Sequence, residues 1–205
     1  MNNNTKERIL QKALQLFAQK GYMATSMSDI AKQLGITKPA LYKHYASKQA
    51  IFDSIIGRMN QLDEERAVEY EMPEGTIDQM AEKYAHTSLE KIKIYSEAQF
   101  LHWTEDPFAS AFRRMLTLEQ YRSKEMQQLY YQYLCGGPVM YMADLFGPMT
   151  GKKEEAMQLA LEFYSPMFLL YSMYDVADSK KKKQEICDQL KQHIDRFAEN
   201  FQKLI

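Results

Sequence analysis

The stretch ITKPALYKHYASKQ, residues 36–49, has two lysines at predicted helix N-termini, where a positive charge does not stabilise a helix. Thr37 and Ser47 are residue types that begin helices, because their hydroxyl oxygens accept hydrogen bonds from the free N–H groups of the first turn. Lys38 and Lys48 follow them directly, where the aligned peptide dipoles already leave partial positive charge. A lysine there is unfavourable alone but useful beside a phosphate, which binds the ammonium and the N–H groups together. The pattern therefore predicts an anion-binding surface.

The charge of the chain is distributed unevenly. The net charge is −1, but residues 1–58 hold nine Lys or Arg and three acids and are +6, while the remainder holds 17 basic and 24 acidic residues and is −7. A basic end on an acidic body suggests an anionic partner for that end alone. The alternative is a solvated face whose charges fell that way by chance.

The composition is that of an ordinary globular protein, with 205 residues, 45% hydrophobic and 26% charged. The apolar run at 166–174 is too short to span a bilayer, and the N-terminus has no apolar core like that of a signal peptide. We therefore expect a cytoplasmic protein without a membrane partner. Cys135 and Cys187 are far apart in sequence and are expected to be free thiols.

Helical periodicity runs through nearly the whole chain and strand signals are nearly absent, which predicts an all-α fold. The first helix is expected to begin at a Thr5 cap and stop at Gly21. The next segments are 26–35, which begins at a Ser26 cap, 37–45 and 48–72. Later helices are expected over about 76–103, 107–121, 124–148 (broken near 136–138), 152–177 (kinked at Pro166) and 181–203.

The short segments have the apolar spacing of a helix-turn-helix. In DIAKQLGITKPALY, residues 29–42, Ala31 is small enough for two helices to cross closely, and Leu34 closes the first helix. Gly35 suits a turn that visits positive φ, and Leu41 anchors the second helix. Each feature is common, but together, in a basic segment behind a third helix, they form a strong signal.

On these residues the chain resembles a known family. TSMSDIAKQLGITKPALYKHYASKQAIF, residues 25–52, looks like the DNA-binding signature of the TetR (tetracycline-repressor) family, and the resemblance is specific over residues 5–58. It implies a homodimeric transcriptional regulator, with an N-terminal three-helix DNA-binding domain (1–47) and a larger helical ligand-binding and dimerisation domain (48–205). The helix 48–72 would link the two. Pro39 stands where the family often has Gly.

The resemblance also implies which residues contact DNA. Four positions correspond to phosphate contacts and four lie nearest the base edges: Thr25, Tyr42, His44 and Lys48 for phosphate, and Thr37, Lys38, Ala40 and Lys43 for bases. The chemistry agrees in part, since an alanine can meet a thymine methyl and a lysine can donate to guanine. The alternative for Tyr42 is a half-buried core tyrosine.

The C-terminal part is rich in two adaptable residue types, since the chain has 14 Met and 14 Tyr and most lie beyond residue 58. Such residues can simply fill a helical core, but as a set they fit a plastic cavity for an apolar or aromatic ligand. The candidate ligand-binding residues are Tyr84, Trp103, Met115, Tyr121 and Met142. Arg113 and Arg114 could bind a carboxylate, although an exposed pair is favoured.

The last two helices carry apolar seams that suit an intersubunit four-helix bundle. The predicted dimer interface consists of Phe163, Met167, Leu170, Leu190, Ile194, Phe197 and Phe201. A homodimer would bind a palindromic operator in double-stranded DNA.

Other chemistry is weakly indicated. The four histidines and two cysteines show no metal spacing, and HWTED (102–106) is favoured as a plain helix end over a metal site. No phosphate loop, dinucleotide fingerprint or nucleophile elbow is present, so neither an enzyme nor a cofactor is expected. SKKKK (179–183) is favoured as a solvated hinge.

The sequence thus indicates a repressor released from its operator by a small ligand. The alternatives are a DNA-binding regulator without a ligand and, less favoured, an all-helical enzyme.

Overall fold

The computed structural model describes residues 2–73 and 83–203, and every regular element in these ranges is a helix. The predicted all-α fold class is therefore confirmed. The helices are, in chain order, α1 (Asn2–Lys20), α2 (Met27–Leu34), α3 (Lys38–Tyr42), α4 (Lys48–Glu69), α5 (Leu89–Glu105), α6 (Pro107–Glu119), α7 (Lys124–Leu134), α8 (Gly136–Thr150), α9 (Lys153–Val176) and α10 (Lys180–Phe201). Residues 83–86 are also helical.

Two predicted helix ends near the N-terminal half are wrong. Thr5 is not a cap, because α1 already begins at Asn2 and Thr5 lies inside it. The fourth helix ends at Glu69 rather than at residue 72. Glu71 turns into the left-handed region, with φ of 52°, and the N–H of Met72 donates to the carbonyl of Ala67 over 2.8 Å. The chain therefore closes the helix by a backbone turn that needs no glycine.

The single helix predicted over about 76–103 is also wrong where it can be compared. Residues 74–82 lie outside the described residues. Beyond them the chain leaves the helical state before Ser88, whose hydroxyl accepts a hydrogen bond from the N–H of Lys91 over 3.2 Å and begins α5. The predicted break in the later segment is found at Cys135, between α7 and α8.

The first of two compact units contains Met1–Glu65 and Pro107–Tyr130. Helix α6 packs against α1 in this unit. Its core is formed by buried apolar side chains from five helices: Ile9, Ala13, Phe17, Ile30, Leu41, Ile51, Phe52, Ile55, Phe112, Met115 and Leu116. A segment distant in sequence thus completes the N-terminal helices.

The second unit contains Arg66–Asp106 and Tyr131–Ile205. Helix α9 packs against α8, α10 and α5. A group of phenylalanines lies at its centre: the ring of Phe163 is 4.8 Å from that of Phe197 and 5.7 Å from that of Phe146, which lies 5.3 Å from Phe201. Helix α9 continues through Pro166, and the kink expected there stays a prediction.

The compact units divide the chain differently from the predicted functional division at residues 47 and 48. Helix α4 contributes its residues up to Glu65 to the first unit and the remainder to the second. The assignment of DNA binding to 1–47 and of ligand binding and dimerisation to 48–205 stays a prediction.

Candidate nucleic-acid interface and ligand-binding residues

The turn between α2 and α3 is fixed by local chemistry. Ser26 and Asp29 form a reciprocal capping box at the start of α2. Gly35 ends α2 with φ of 69°, in the left-handed region that only glycine adopts at little cost. Thr37 then begins α3, its hydroxyl oxygen accepting from the N–H of Ala40 over 3.3 Å. These caps were predicted, and they hold the two helices as a helix-turn-helix.

Helix α3 presents a polar face to solvent. Leu41 and Tyr45 are buried beneath it, so the remaining side chains turn outward. Tyr42 is 45% exposed, which excludes the core alternative considered for it. The ammonium of Lys38 lies 6.0 Å from the centre of its ring, within reach of a weak cation–π contact.

The other predicted DNA contacts near α3 are accessible to different degrees. Thr37 and Lys43 are exposed, whereas Ala40 and His44 are half-buried. Together with Lys38 and Tyr42 they form what we call the α3 face: Thr37, Lys38, Ala40, Tyr42, Lys43 and His44. The structure therefore brings six of the eight predicted DNA-binding residues onto one short element.

Thr25 requires a correction. Its side chain is only 1% exposed, and its hydroxyl donates to the carbonyl of Gly21 over 2.9 Å. Its N–H donates to the carbonyl of Tyr22. Both donors are used inside the protein, so the structure does not offer the Thr25 side chain to a phosphate.

Lys48 also differs from the free cation that the sequence suggests. Its ammonium donates to the carbonyls of Tyr22 and Thr25 over 2.6 and 2.7 Å and lies 4.3 Å from the centre of the Tyr22 ring. Burial lowers the pKa of Lys48, and the carboxylate of Glu119 acts in the opposite direction. A lysine at this helix start is therefore explained by the carbonyls that it pairs, and a phosphate would have to share its donors.

Glu119 at the end of α6 was missed by the sequence reasoning. Its carboxylate is 3% exposed and accepts a hydrogen bond from the N–H of Tyr22 over 3.0 Å. Gly21 has φ of 87°, and a Cβ there would lie 2.4 Å from Glu119 Oε1. The signal was present, since Glu119 extends the buried spacing of Phe112, Met115 and Leu116 by one more turn.

The five predicted ligand-binding residues do not form one site within either unit. Met115, buried, and Tyr121, 88% exposed, belong to the first unit. Tyr84, Trp103 and Met142 belong to the second and are buried. Burial raises the pKa of Tyr84 to about 12, as expected for a phenol in an apolar surrounding.

An apolar groove of about 500 Å³ lies in the second unit, and none of the five predicted residues lines it. Its walls come from the end of α7, the start of α8 and the middle of α9. The lining residues are Tyr131, Leu134, Cys135, Gly136, Val139, Met140, Met157, Leu161, Tyr164, Ser165 and Phe168.

The predicted dimer interface is wrong in its residues. All seven side chains are buried within the single chain, so they cannot present a surface to a second copy: Phe163, Met167, Leu170, Leu190, Ile194, Phe197 and Phe201. An apolar seam shows that a helix face is covered, and here the covering helices belong to the same chain.

The remaining candidates are the two cysteines, the HWTED stretch and two neighbouring arginines. Cys135 and Cys187 form no disulfide in the described part of the chain. Across residues 2–73 and 83–203 no three His, Cys, Asp or Glu side chains are grouped to hold a metal, and HWTED forms the end of α5. Arg113 is buried and Arg114 is exposed, so the expected exposed pair is wrong for Arg113. No described helix is long and apolar enough to cross a bilayer.

Known proteins match this chain in two ways. A profile of "Bacterial regulatory proteins, tetR family" matches residues 9–55. The uncharacterized HTH-type transcriptional regulator YerO of Bacillus subtilis is 47% identical over 49 residues, 24% of this chain and 17% of that protein. IcaR of Staphylococcus aureus, negative transcriptional regulator of the biofilm operon icaADBC, is 41% identical over 51 residues, 25% of this chain and 27% of that protein. These matches thus span about a quarter or less of the relatives' lengths.

The fold match extends over nearly the whole chain. The structure of a proposed fatty acid metabolism regulator from Clostridium perfringens aligns with a TM-score of 0.66 at 19% identity, covering 91% of this chain and 96% of that one. At this identity the likeness concerns the fold.

Proposed function

Because the chain belongs, by its N-terminal domain, to the tetR family of bacterial regulatory proteins, we propose that it is a sequence-specific DNA-binding repressor that a small apolar or aromatic ligand releases from its operator. The observation that carries the proposal is the α3 face. Its exposed Lys38, Tyr42 and Lys43 stand on a helix whose other side is anchored by Leu41. A helix held in this way can enter the major groove and contact base edges and phosphates.

The basic charge of residues 1–58 supports this orientation toward DNA. Lys38 and Lys43 are exposed, whereas the Lys48 ammonium is held by backbone carbonyls. We expect the two exposed lysines to contribute most to the salt dependence of binding. Removing one lysine that contacts a phosphate lowers the slope of log K against log salt by about one.

The DNA test is binding to the region upstream of the chain's own gene, measured by fluorescence anisotropy over a series of salt concentrations. Lys43→Ala should weaken binding, and Lys181→Ala on α10, the same change at an exposed lysine outside residues 1–58, should not. Binding that is independent of salt, or an equal weakening in both variants, would contradict the proposed interface.

A homodimer is part of the proposal, and the outer face of α9 is its proposed contact surface. No charged residue lies between Glu162 and Asp175. One side of this stretch is buried in the second unit, and the opposite side exposes Leu161, Phe168, Leu169, Met173 and Val176. A helix that is apolar on both sides is normally covered on both sides.

The groove beside this face continues the apolar surface, with exposed Tyr131 and Met140 on its rim. We assign groove and helix face together to a second copy, because a palindromic operator requires two α3 faces related by two-fold symmetry. Phe168→Glu should give monomers in sedimentation and abolish operator binding, while Glu162→Gln on the same helix should leave dimers. A Phe168→Glu dimer would place the contact elsewhere.

The ligand in the proposal is small and mainly apolar or aromatic. Support comes from the aromatic side chains of the second unit, where the Trp103 ring lies 6.4 Å from Tyr133 and the Tyr84 ring lies 6.2 Å from Tyr141. The name of the Clostridium perfringens protein refers to fatty acids, which also have an apolar body. Compounds that bind should change the fluorescence emission of Trp103, the only tryptophan in the sequence. They should also lower the affinity for the operator, and the operator should lower the affinity for the compound by the same factor.

A further inference from the structure

In the second unit, hydrogen bonds link a series of polar side chains from the end of α4 to α5. Arg66 Nε donates to Gln99 Oε1 over 2.7 Å, and Gln99 Nε2 donates to the hydroxyl oxygen of Tyr95 over 2.9 Å. The Tyr70 ring lies 5.4 Å from Arg66 Cζ and 5.8 Å from the Tyr95 ring. These contacts fix the guanidinium in one orientation, since one edge is bonded and one face lies against an aromatic ring.

Two side-chain nitrogens in or beside this hydrogen-bonded series have no hydrogen-bond partner in the described structure. Arg66 Nη2 and His102 Nε2 are buried and form no hydrogen bond in the described structure. His102 follows Gln99 by three positions on α5, so the imidazole and the amide that holds Arg66 lie on neighbouring turns of one side of the helix. The buried hydroxyl of Ser96, one turn before Gln99, is also without a partner. Buried polar groups are nearly always hydrogen-bonded, so these unpaired atoms indicate that a polar partner from outside the chain binds here.

The electrostatics indicate the sign of the missing partner. Burial, and then the nearby Arg66 guanidinium, lower the pKa of His102 to about 4, while Asp106 acts in the opposite direction. The imidazole is therefore neutral at pH 7 and lies close to a fixed cation. Among the described residues, none of the ion pairs involves Arg66. In the described part of the chain, the Arg66 guanidinium is therefore a partly buried positive charge with no carboxylate within ion-pair distance.

We propose that Arg66 and His102 bind the carboxylate of the effector, so that the ligand is an organic acid rather than a neutral apolar compound. One carboxylate oxygen accepts from Arg66 Nη2, and the other accepts from His102 in its Nε2–H tautomer. The rings of Tyr70, Tyr95 and Trp103 supply apolar surface for the body of the acid. This inference rests on the proposed ligand response and names the ligand's chemical class.

The experiment compares an acid with its matched neutral amide on the full-length protein without DNA. The probes are hexanoate, dodecanoate and phenylbutanoate, each beside the primary amide of the same chain, up to about 10 mM. Binding is followed by thermal stability and by the emission of Trp103, whose ring lies 6.0 Å from that of His102. At least one acid should bind about tenfold or more tighter than its amide, because charge-assisted hydrogen bonds to a buried cation are among the stronger ones.

Arg66→Met removes the charge and keeps much of the side-chain volume, and Arg196→Met makes the same change at an exposed site of the second unit. Arg66→Met should abolish the preference for acid over amide, and Arg196→Met should retain it. Because Arg66→Met also removes the hydrogen bond to Gln99 and the contact with the Tyr70 ring, both variants are compared with wild type at a temperature where circular dichroism shows all three folded. A merely structural arginine would leave the preference of the folded variant for acid over amide unchanged.

The proposal is overturned if every acid binds like its amide, if no acid of the series binds, or if Arg66→Met binds acids as wild type does. The first outcome is also expected if ordered water pairs both nitrogens. Operator binding is measured separately by anisotropy. Operator binding without acid binding would overturn this inference and leave the repressor, whereas acid binding without any effect on DNA would overturn the proposed ligand response and leave the site.

Discussion

Replacing Lys48 by methionine tests whether this side chain stabilises the fold or contacts a DNA phosphate. Methionine keeps most of the apolar stem and removes the ammonium that donates to the carbonyls of Tyr22 and Thr25. Leaving buried acceptors unpaired costs about 1–3 kcal/mol each. Water reaches these part-buried carbonyls, and the burial that lowers the pKa of Lys48 is relieved, so the net destabilisation is smaller than the sum.

We expect Lys48→Met to lower the free energy of unfolding by about 2 kcal/mol, of which the cation–π contact with Tyr22 contributes about 0.5–1 kcal/mol. For a chain of this length that corresponds to a fall in melting temperature of about 4–8 °C. Urea unfolding followed by circular dichroism measures the first quantity, and a thermal scan measures the second.

Lys43→Met is the matched control, since Lys43 is exposed on the α3 face and belongs to the same proposed DNA surface. It should leave stability unchanged and lower the salt slope of operator binding by about one. If Lys48→Met is destabilised by less than about 0.5 kcal/mol and only the salt slope changes, the ammonium is a phosphate contact and the reasoning from its carbonyl partners fails.

Two further predictions concern conformation and pH. Gly21→Ala should destabilise the protein by about 1 kcal/mol more than Gly35→Ala, because both sites have positive φ but only the Cβ at Gly21 would collide with Glu119; an equal destabilisation in urea unfolding would refute the collision. The lowered pKa of His102 means that protonation favours the unfolded chain. The contribution of His102 to the free energy of unfolding should therefore be fully present above about pH 6.5 and be lost as the pH falls toward 4. His102→Gln should flatten this part of the pH profile by up to about 3 kcal/mol, and an unchanged profile would show that other groups cause it.

The local features near α3 could be read from the sequence because each depends on residues within one turn. Ser26, Gly35 and Thr37 act on N–H groups or backbone angles of their own segment, and the structure has all three as predicted. The start of α5 at Ser88 belongs to the same class of signal. It was missed because the apolar periodicity continues across it and favoured one long helix.

The errors concern pairings between distant segments. The seam on α10, including Ile194 and Phe197, shows that this face is covered, but the same pattern fits a neighbour in the same chain or in a second copy. The pairing of Lys48 with the carbonyls of Tyr22 and Thr25 has no sequence signature, since backbone oxygens are present at every position. The partnership of Arg66 with Gln99 also depends on which turn of α5 lies beside the end of α4.

The packing of α6 on α1 has a consequence for chimeric regulators, in which DNA-binding and sensing parts are exchanged between proteins. A cut near residue 47 or 65 would take the N-terminal helices without Pro107–Tyr130, the second stretch of the same compact unit. The transplanted piece would then expose apolar surface around Phe17 and lack the carboxylate that holds the turn at Tyr22. A transferable DNA-reading module from this chain should therefore carry both stretches, or a host helix with an acid at the position of Glu119.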